Sequence, residues 1–383
     1  MKSQTASLQK KATESVVAVD DTLCEHVGSL FAYIARHYNH SNDQYPLAHN
    51  LLTTYYVSGT VRFPVDAALY CRYEEVTNWE SFMKRHFPEV TIPSKAKDRT
   101  ALHKRVDATL RQDPAFQALE TTFKTKLTLA GELVEQAVTH GLAFDWVLFD
   151  GWYLAPELLT VLSRLGKDWI SILKTNRNIE TNSFCLRNAE GVPVKFAEPQ
   201  VQAKELIPAI PPQAYRPLTI DGTTYYTFTM TVRIAALGKV RLVVSFATPD
   251  CTGSAVVLVS NRLDCTAQRL LATYVLRWPI ETFYQDGKQL LGLDEYRMRN
   301  AQAIQKHWSL VFVAYSFLHL AVLAPSLAKG QPVPTLSIGA AARQQTQLLI
   351  QDLILFVHQA LSTGQAVSQI FGSLFAKLQP TAT

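Results

Sequence analysis

The chain has 383 residues, with 37 Lys and Arg against 32 Asp and Glu, a net charge of +5, and 48% apolar residues. That balance excludes a disordered polyelectrolyte and supplies apolar side chains for a sizeable core, over a length suited to two or three domains. The small positive excess permits a nucleic-acid partner without requiring one.

Residues 1–14 are polar and are expected to fray. Ser15 to Asp21 (SVVAVDD) reads as a buried strand that ends in two acids. Leu47 to Tyr56 and Val61 to Tyr70 flank Ser58-Gly59-Thr60, a turn, so a hairpin pairing antiparallel with the first strand is predicted. Residues 74–112 are charged and mixed and give no clear pattern. Phe116 to His140 has helical spacing and stops at Gly141. Phe144 to Asp150 (FDWVLFD) reads as a strand ending in an acid, Ala155 to Leu165 as a helix closed by Gly166, and Trp169 to Lys174 as a further strand. An antiparallel start followed by alternating strands and helices predicts a mixed sheet with helices on its faces.

The texture changes from Thr175 to Asp264. Period-two stretches (Tyr225 to Arg233, Val240 to Phe246), clustered prolines and the Asp221-Gly222 turn predict an all-β insertion. Residues 265–293, 300–323 and 343–375 return to helical patterning, with a Pro-, Gly- and Ser-bearing linker at 325–338. The predicted organisation is therefore 1–175, 176–264, 265–324 and 325–383. The apolar run Trp308 to Ala324 is short and polar for a membrane span and reads as a core helix, so no membrane partner is expected. The start of the chain shows no apolar signal core, and the five cysteines form no C-x-x-C pair, which suits reduced thiols in a cytoplasmic protein.

Three acidic positions stand where a site would need them. Asp20 and Asp21 end the first strand and Asp150 ends the fourth, and ligands of open α/β sheets gather at the carboxyl ends of strands. Alternation puts Asp21 on the sheet face of Val17 and Val19, with Asp20 on the other. Tyr274, Arg277, Glu281 and Lys288 fall within about 60° of one helical face at 100° per residue, although Pro279 must kink that helix or start another. An acid flanked by cations on one stripe suits metal and phosphate binding. An exposed ion-pair face would give the same pattern, as Arg277 and Glu281 are four residues apart.

The string Tyr274-x2-Arg277-x3-Glu281-x6-Lys288, within YVLRWPIETFYQDGKQLLGLDEYRMRN, resembles the Y-R-E-K signature of bacterial insertion-sequence DDE transposases. Asp20-Asp21-Thr22 resembles that family's first-acid motif, in which the Asp before Thr is the metal ligand, and Val147 to Gly151 resembles its second-acid strand. The resemblance covers about residues 15–320 and implies a ribonuclease-H-like core interrupted by a β-strand insertion and followed by C-terminal helices. It further implies a two-metal phosphoryl-transfer enzyme in which Asp21, Asp150 and Glu281 hold Mg²⁺, with Mn²⁺ a substitute. Arg277, Lys288 and Tyr274 would then contact double-stranded DNA near the cut, with Lys174 a second-tier phosphate contact. Transposon ends and target DNA are the implied partners, and a homodimer pairing two ends in the bacterial nucleoid is expected, with 343–375 a candidate interface.

Departures from the pattern count as well. Only 20 residues precede Asp21, where relatives usually carry a helical end-binding domain, so the chain reads as short at its N-terminus. No Trp lies between 170 and 277, so base stacking in the insertion would fall to Tyr215, Tyr225, Tyr226 or Phe228, residues that equally suit a β core. Lys84 to His86 and Lys95 to Arg99 could touch a DNA backbone or form a solvated face. His26, His37, His40 and His49 lack zinc-ligand spacing, and no Gly-rich phosphate loop occurs. Two other readings share the scaffold: a catalytically idle DNA-binding remnant or regulator, and a nuclease that cuts without joining.

Overall fold

The computed structural model describes residues 14–39, 42–329 and 337–375. The predicted polar tail before Glu14, His40, and residues 330–336 of the predicted linker lie outside the described residues. Two compact units divide the chain at Ser316/Phe317, inside the long helix Ala301–Lys329.

The first unit is built on one mixed sheet. Its strands are β1 (Ser15–Glu25), β2 (Ala35–Arg36), β3 (Leu47–Ser58), β4 (Val61–Tyr70), β5 (Trp146–Phe149), β6 (Asp168–Ile172), β7 (Asn178–Glu180), β8 (Gln200–Gln202), β9 (Arg216–Ile220), β10 (Thr223–Ile234), β11 (Gly238–Phe246) and β12 (Val256–Ser260). They hydrogen-bond in the order β2-β3-β1-β5-β6-β12-β11-β10-β7-β8, with β4 also on β3 and β9 on β10. β1 lies deep in this sheet, and Val16 to Val19 have no exposed surface, which is why the run is apolar on both faces rather than alternating.

The expected hairpin is present. β3 pairs antiparallel with β1 along its whole length and with β4 on its other side, around Gly59 with φ +59°. Pro64 falls at the register shift opposite Thr54 and Tyr55, a position where a strand tolerates the missing N–H. β5 runs parallel to β1 and β6 parallel to β5. Ala18 pairs with Leu148, so extending that register by two residues sets Asp150 beside Asp20.

The stretch after β6 adds to the same sheet. β12 pairs antiparallel with β6, and β11 and β10 follow it outward. Period-two patterning reports strands but not which edge they join, so this continuity was invisible in the sequence. The stretch also contains a seven-residue helix, Ala203–Ala209.

One expected helix is two, and the helical stretches 265–293 and 343–375 each hold two helices, the first pair parting at Pro279 as one of the two sequence alternatives had it. Phe116 to His140 divides into Pro114–Glu120 and Lys126–Thr139, because Asp113 and Thr125 each cap a new helix with a side-chain oxygen. The stretch 265–293 divides into Ala267–Val275 and Pro279–Leu291, with proline in the first turn of the second helix, where its missing N–H costs nothing. The stretch 343–375 divides into Ile338–Ser362 and Val367–Phe375 at Gly364, φ +81°. Residues 74–112, unpatterned in sequence, include helices Trp79–His86 and Ala96–Leu110, which close a small core around Trp79, Phe82, Leu102, Leu110 and Phe116.

In the long helix, Trp308, Val311, Phe312 and Tyr315 are buried while Leu310 and Val313 are exposed. Tyr315 meets Phe283 and Tyr55, so this face is core. The segment Ala301–Ala324 is long and apolar enough to cross a membrane by length and composition, a test that a core helix also passes. In the second unit, Ile338–Ser362 and Val367–Phe375 bury few side chains and expose Leu349, Ile354, Leu355 and Phe371.

Candidate active site

A cleft of about 600 Å³ opens at the carboxyl ends of β1 and β5. Five acids line it: Asp20, Asp21 and Glu25 from β1, Asp150 just after β5, and Glu281 from the first turn of Pro279–Leu291. Lys126 and Lys288 supply positive charge to the same wall.

Asp150 leaves β5 into a tight turn, and its Oδ1 accepts from the backbone N–H of Trp152 at 2.8 Å. Gly151 makes this turn possible: a Cβ there would sit 2.7 Å from the Ile172 carbonyl oxygen on β6. The strand end is therefore pressed against its neighbour, and Asp150 is aimed by the backbone itself.

The two acids of β1 point to different partners, as strand alternation requires. Asp20 Oδ2 accepts from the Arg277 guanidinium at 2.6 Å, and Arg277 also donates to Glu281 Oε1 at 3.2 Å. Burial pushes Asp20 up to about 8; Arg277 opposes this, while Glu281, Asp21 and Asp150 add to it. Asp21 accepts from Asn50 at 2.6 Å, from Lys126 at 2.8 Å and from the Tyr153 hydroxyl. Burial pushes Asp21 up as well, but the Lys126 charge and these hydrogen bonds outweigh it and hold the carboxyl below its ordinary range. One acid of the adjacent pair is thus stabilised as an anion and the other is frustrated.

Tyr274, Arg277, Glu281 and Lys288 do not form a single stripe. The chain turns tightly between the two helices, Arg277 N–H bonding Tyr274 O and Glu281 N–H bonding Trp278 O, so Arg277 still reaches Glu281. The Tyr274 ring lies beneath Arg277 and its hydroxyl donates to Phe149 O at 3.3 Å, a bracing position behind the cleft wall. Lys288 reaches across to Leu23 O at 2.8 Å. Lys174 is exposed, its stem close to Gly151, and is not among the residues lining the cleft. Tyr215 is buried between Phe228 and Phe246, so it is core. Of the basic clusters, Arg99 is committed to Glu74 and Glu80, and Arg85 and His86 to Asp113.

The sequence reading missed Lys126, Asn50, Tyr153 and Trp152. Lys126 stands 105 residues from Asp21, and no local pattern links them. Only Trp152 and Tyr153, next to Asp150, carried a positional hint.

Among the described residues no three acidic, histidine or cysteine side chains converge closely enough to hold a metal ion. Protein cations hold the acids instead: Arg277 lies between Asp20 and Glu281, and Lys126 neutralises Asp21. The donor set nevertheless suits a hard divalent ion, since it is all oxygen and burial and its crowded acids push Asp20 towards the neutral form, a cost that a bound cation would relieve. The buried Asn50 Oδ1, in the cleft wall, also has no hydrogen-bond partner among the described residues.

Two family models match the chain. One, described as a transposase DDE domain, covers residues 120–317, more than half of the chain. The other, described as a DDE superfamily endonuclease, covers residues 4–183. No curated protein matches it.

Proposed function

This chain belongs to the transposase DDE domain family, and on that premise we propose that it cuts DNA at insertion-sequence ends and joins the cut ends to a target. The observation that carries the reading is the gathering of Asp20, Asp21, Asp150 and Glu281 from three separate elements into one cleft with Lys126 and Lys288. Asp21, Asp150 and Glu281 are the proposed metal ligands, with Asp20 alongside. Mg²⁺ is the proposed ion, and Mn²⁺ would substitute for it. Such an ion would supply the charge that activates an attacking hydroxyl and steadies the leaving 3′-oxygen.

The chain's own residues have defined tasks in this reading. Arg277 is paired with Asp20 and Glu281 in this structure; with a divalent ion supplying charge to those acids, its guanidinium would be available to a DNA phosphate. Lys288 holds a second phosphate, with Lys174 further out along the backbone path. Tyr274 keeps Arg277 in place from below. Asn50 and Tyr153 fix the Asp21 carboxylate, so little reorganisation is needed when charge develops. The exposed apolar residues of the second unit support a homodimer, which would pair two ends of an element in the bacterial cytoplasm.

The test uses a labelled duplex carrying the flanking element end, Mg²⁺ or Mn²⁺, and wild type beside Glu281→Gln. Metal-dependent nicking and joining by wild type alone is expected. Equal nicking by both proteins would remove Glu281 from the site. The endonuclease family match favours a second reading, cutting without joining, which the same gel reports as nicked DNA with no joined product. Binding without nicking by either protein would leave an idle DNA-binding remnant.

A further inference from the structure

The outer edge of β3 carries two strands end to end. β2 pairs with it at Leu47 and Ala48, and β4 finishes its pairing close by, where Tyr70 meets Asn50. The junction brings together Arg36 of β2 and Arg72, just after β4, and both line the acidic cleft. Neither guanidinium is used up by the protein. Arg36 is exposed and donates to the Tyr45 carbonyl at 2.9 Å, with no carboxylate within ion-pair distance among the described residues. Arg72 donates to the Arg36 carbonyl at 3.3 Å, and its ion pair with Glu75 is a loose 3.9 Å. A guanidinium has five N–H donors, so both arginines keep donors to spare. His37, in the same wall, adds no charge at neutral pH, because burial, with Lys126 and Arg72 nearby, pushes it down to about 4. Lys126 is bound to Asp21, and Lys288 to the Leu23 carbonyl. Of the cations lining the cleft, the two arginines are therefore the uncommitted ones.

We propose that Arg36 and Arg72 together clamp one DNA phosphate at this junction, holding the strand where it passes the β2–β4 side of the cleft. This rests on the DNA-cleaving reading given above and names a further contact that positions its substrate. A strand approaching five carboxylates meets repulsion, and cations beside its path offset it. The planar fork of a guanidinium matches two phosphate oxygens at once, which an ammonium cannot do. The hydrogen bond from Arg72 to the Arg36 carbonyl keeps the two residues at one place, so their target is a single phosphate. Such a contact fixes the register of the strand and reads no sequence.

The experiment measures binding of a fluorescein-labelled duplex carrying the element end, in Ca²⁺ buffer over a series of salt concentrations. Wild type is compared with Arg36→Gln, Arg72→Gln and the double variant. Each single variant should bind about tenfold more weakly, with the slope of log affinity against log salt reduced by about one. The double variant should lose no more slope than either single one, because one phosphate is lost in all three. A scan with single methylphosphonates removes one phosphate charge at a time. It should find a position that weakens wild type about tenfold and leaves the double variant unaffected. A merely structural role of the arginines would leave that position's penalty in place. Unchanged slopes, or the same methylphosphonate profile in wild type and double variant, overturn the clamp and leave the DNA reading standing. A slope reduced by about two in the double variant also overturns it, since the arginines would then hold separate phosphates. Failure of wild type to bind the duplex overturns the DNA reading, and the clamp with it.

Discussion

Asp20→Asn should stabilise this protein, and by an amount that depends on pH. Burial and the neighbouring acids raise Asp20 from 3.8 to about 8, so the folded protein at pH 7 keeps this carboxyl protonated while the unfolded chain does not. For a group raised on folding, the favourable contribution is complete below the unfolded value and is lost as pH climbs to the folded value. Each unit corresponds to about 1.4 kcal/mol, and the roughly three units between 3.8 and pH 7 give a cost on the order of 4 kcal/mol. Asn is nearly the same size, carries no charge, and can still accept from Arg277. The variant should therefore unfold at higher denaturant than wild type at pH 7, gain further to about pH 8, and lose its advantage near pH 4. Chelator-treated protein in urea titrations at pH 4.5, 7 and 8.5 would measure this. Asp21→Asn should do the opposite, because it strands the Lys126 charge in a site where its side chain is only 16% exposed. Destabilisation by both variants at pH 7, or a difference between Asp20→Asn and wild type that ignores pH, would refute the division of roles within the pair.

Other outcomes follow from the same geometry. Gly151→Ala should cost about 2 kcal/mol or more in thermal unfolding, because its Cβ would meet the Ile172 carbonyl at 2.7 Å and the β5–β6 contact must part. Lys126→Met should cost about 3 kcal/mol at pH 7, with the loss fading in acid as Asp21 protonates in both proteins; an undiminished loss at pH 3 would discount the ion pair. Mg²⁺ at about a hundred times its dissociation constant should raise the stability of wild type by roughly 2.7 kcal/mol. Glu281→Gln should show a much smaller rise, and equal rises in the two proteins would place the ion away from Glu281.

The relation of sequence to structure is clearest in the acids. Strand character was legible because a buried strand needs a run of β-branched or aromatic residues, and Trp146 to Phe149 does stop before Asp150; the first strand, expected to end at Asp21, instead runs on through both acids to Glu25, because its pairing with β3 continues past them. Local alternation also foretold that Asp20 and Asp21 face apart. The helix breaks at residues 121–125 and at Gly364 were lost because apolar spacing continues across them and only caps mark the boundary. The helices of 74–112 were hidden because their polar residues bond one another, as Arg99 bonds Glu74 and Glu80, and so mask a core that depends on Trp79 and on Phe116 beyond them. What the cations do is decided only in three dimensions. Arg277 lies 257 residues from Asp20 and Lys126 lies 105 from Asp21, and chain folding alone assigns each to its acid. By itself the sequence determined which residues could carry charge into a cleft. The tertiary structure decided which of two adjacent acids is neutralised and which is strained, because burial and through-space charge depend on neighbours that no local pattern contains.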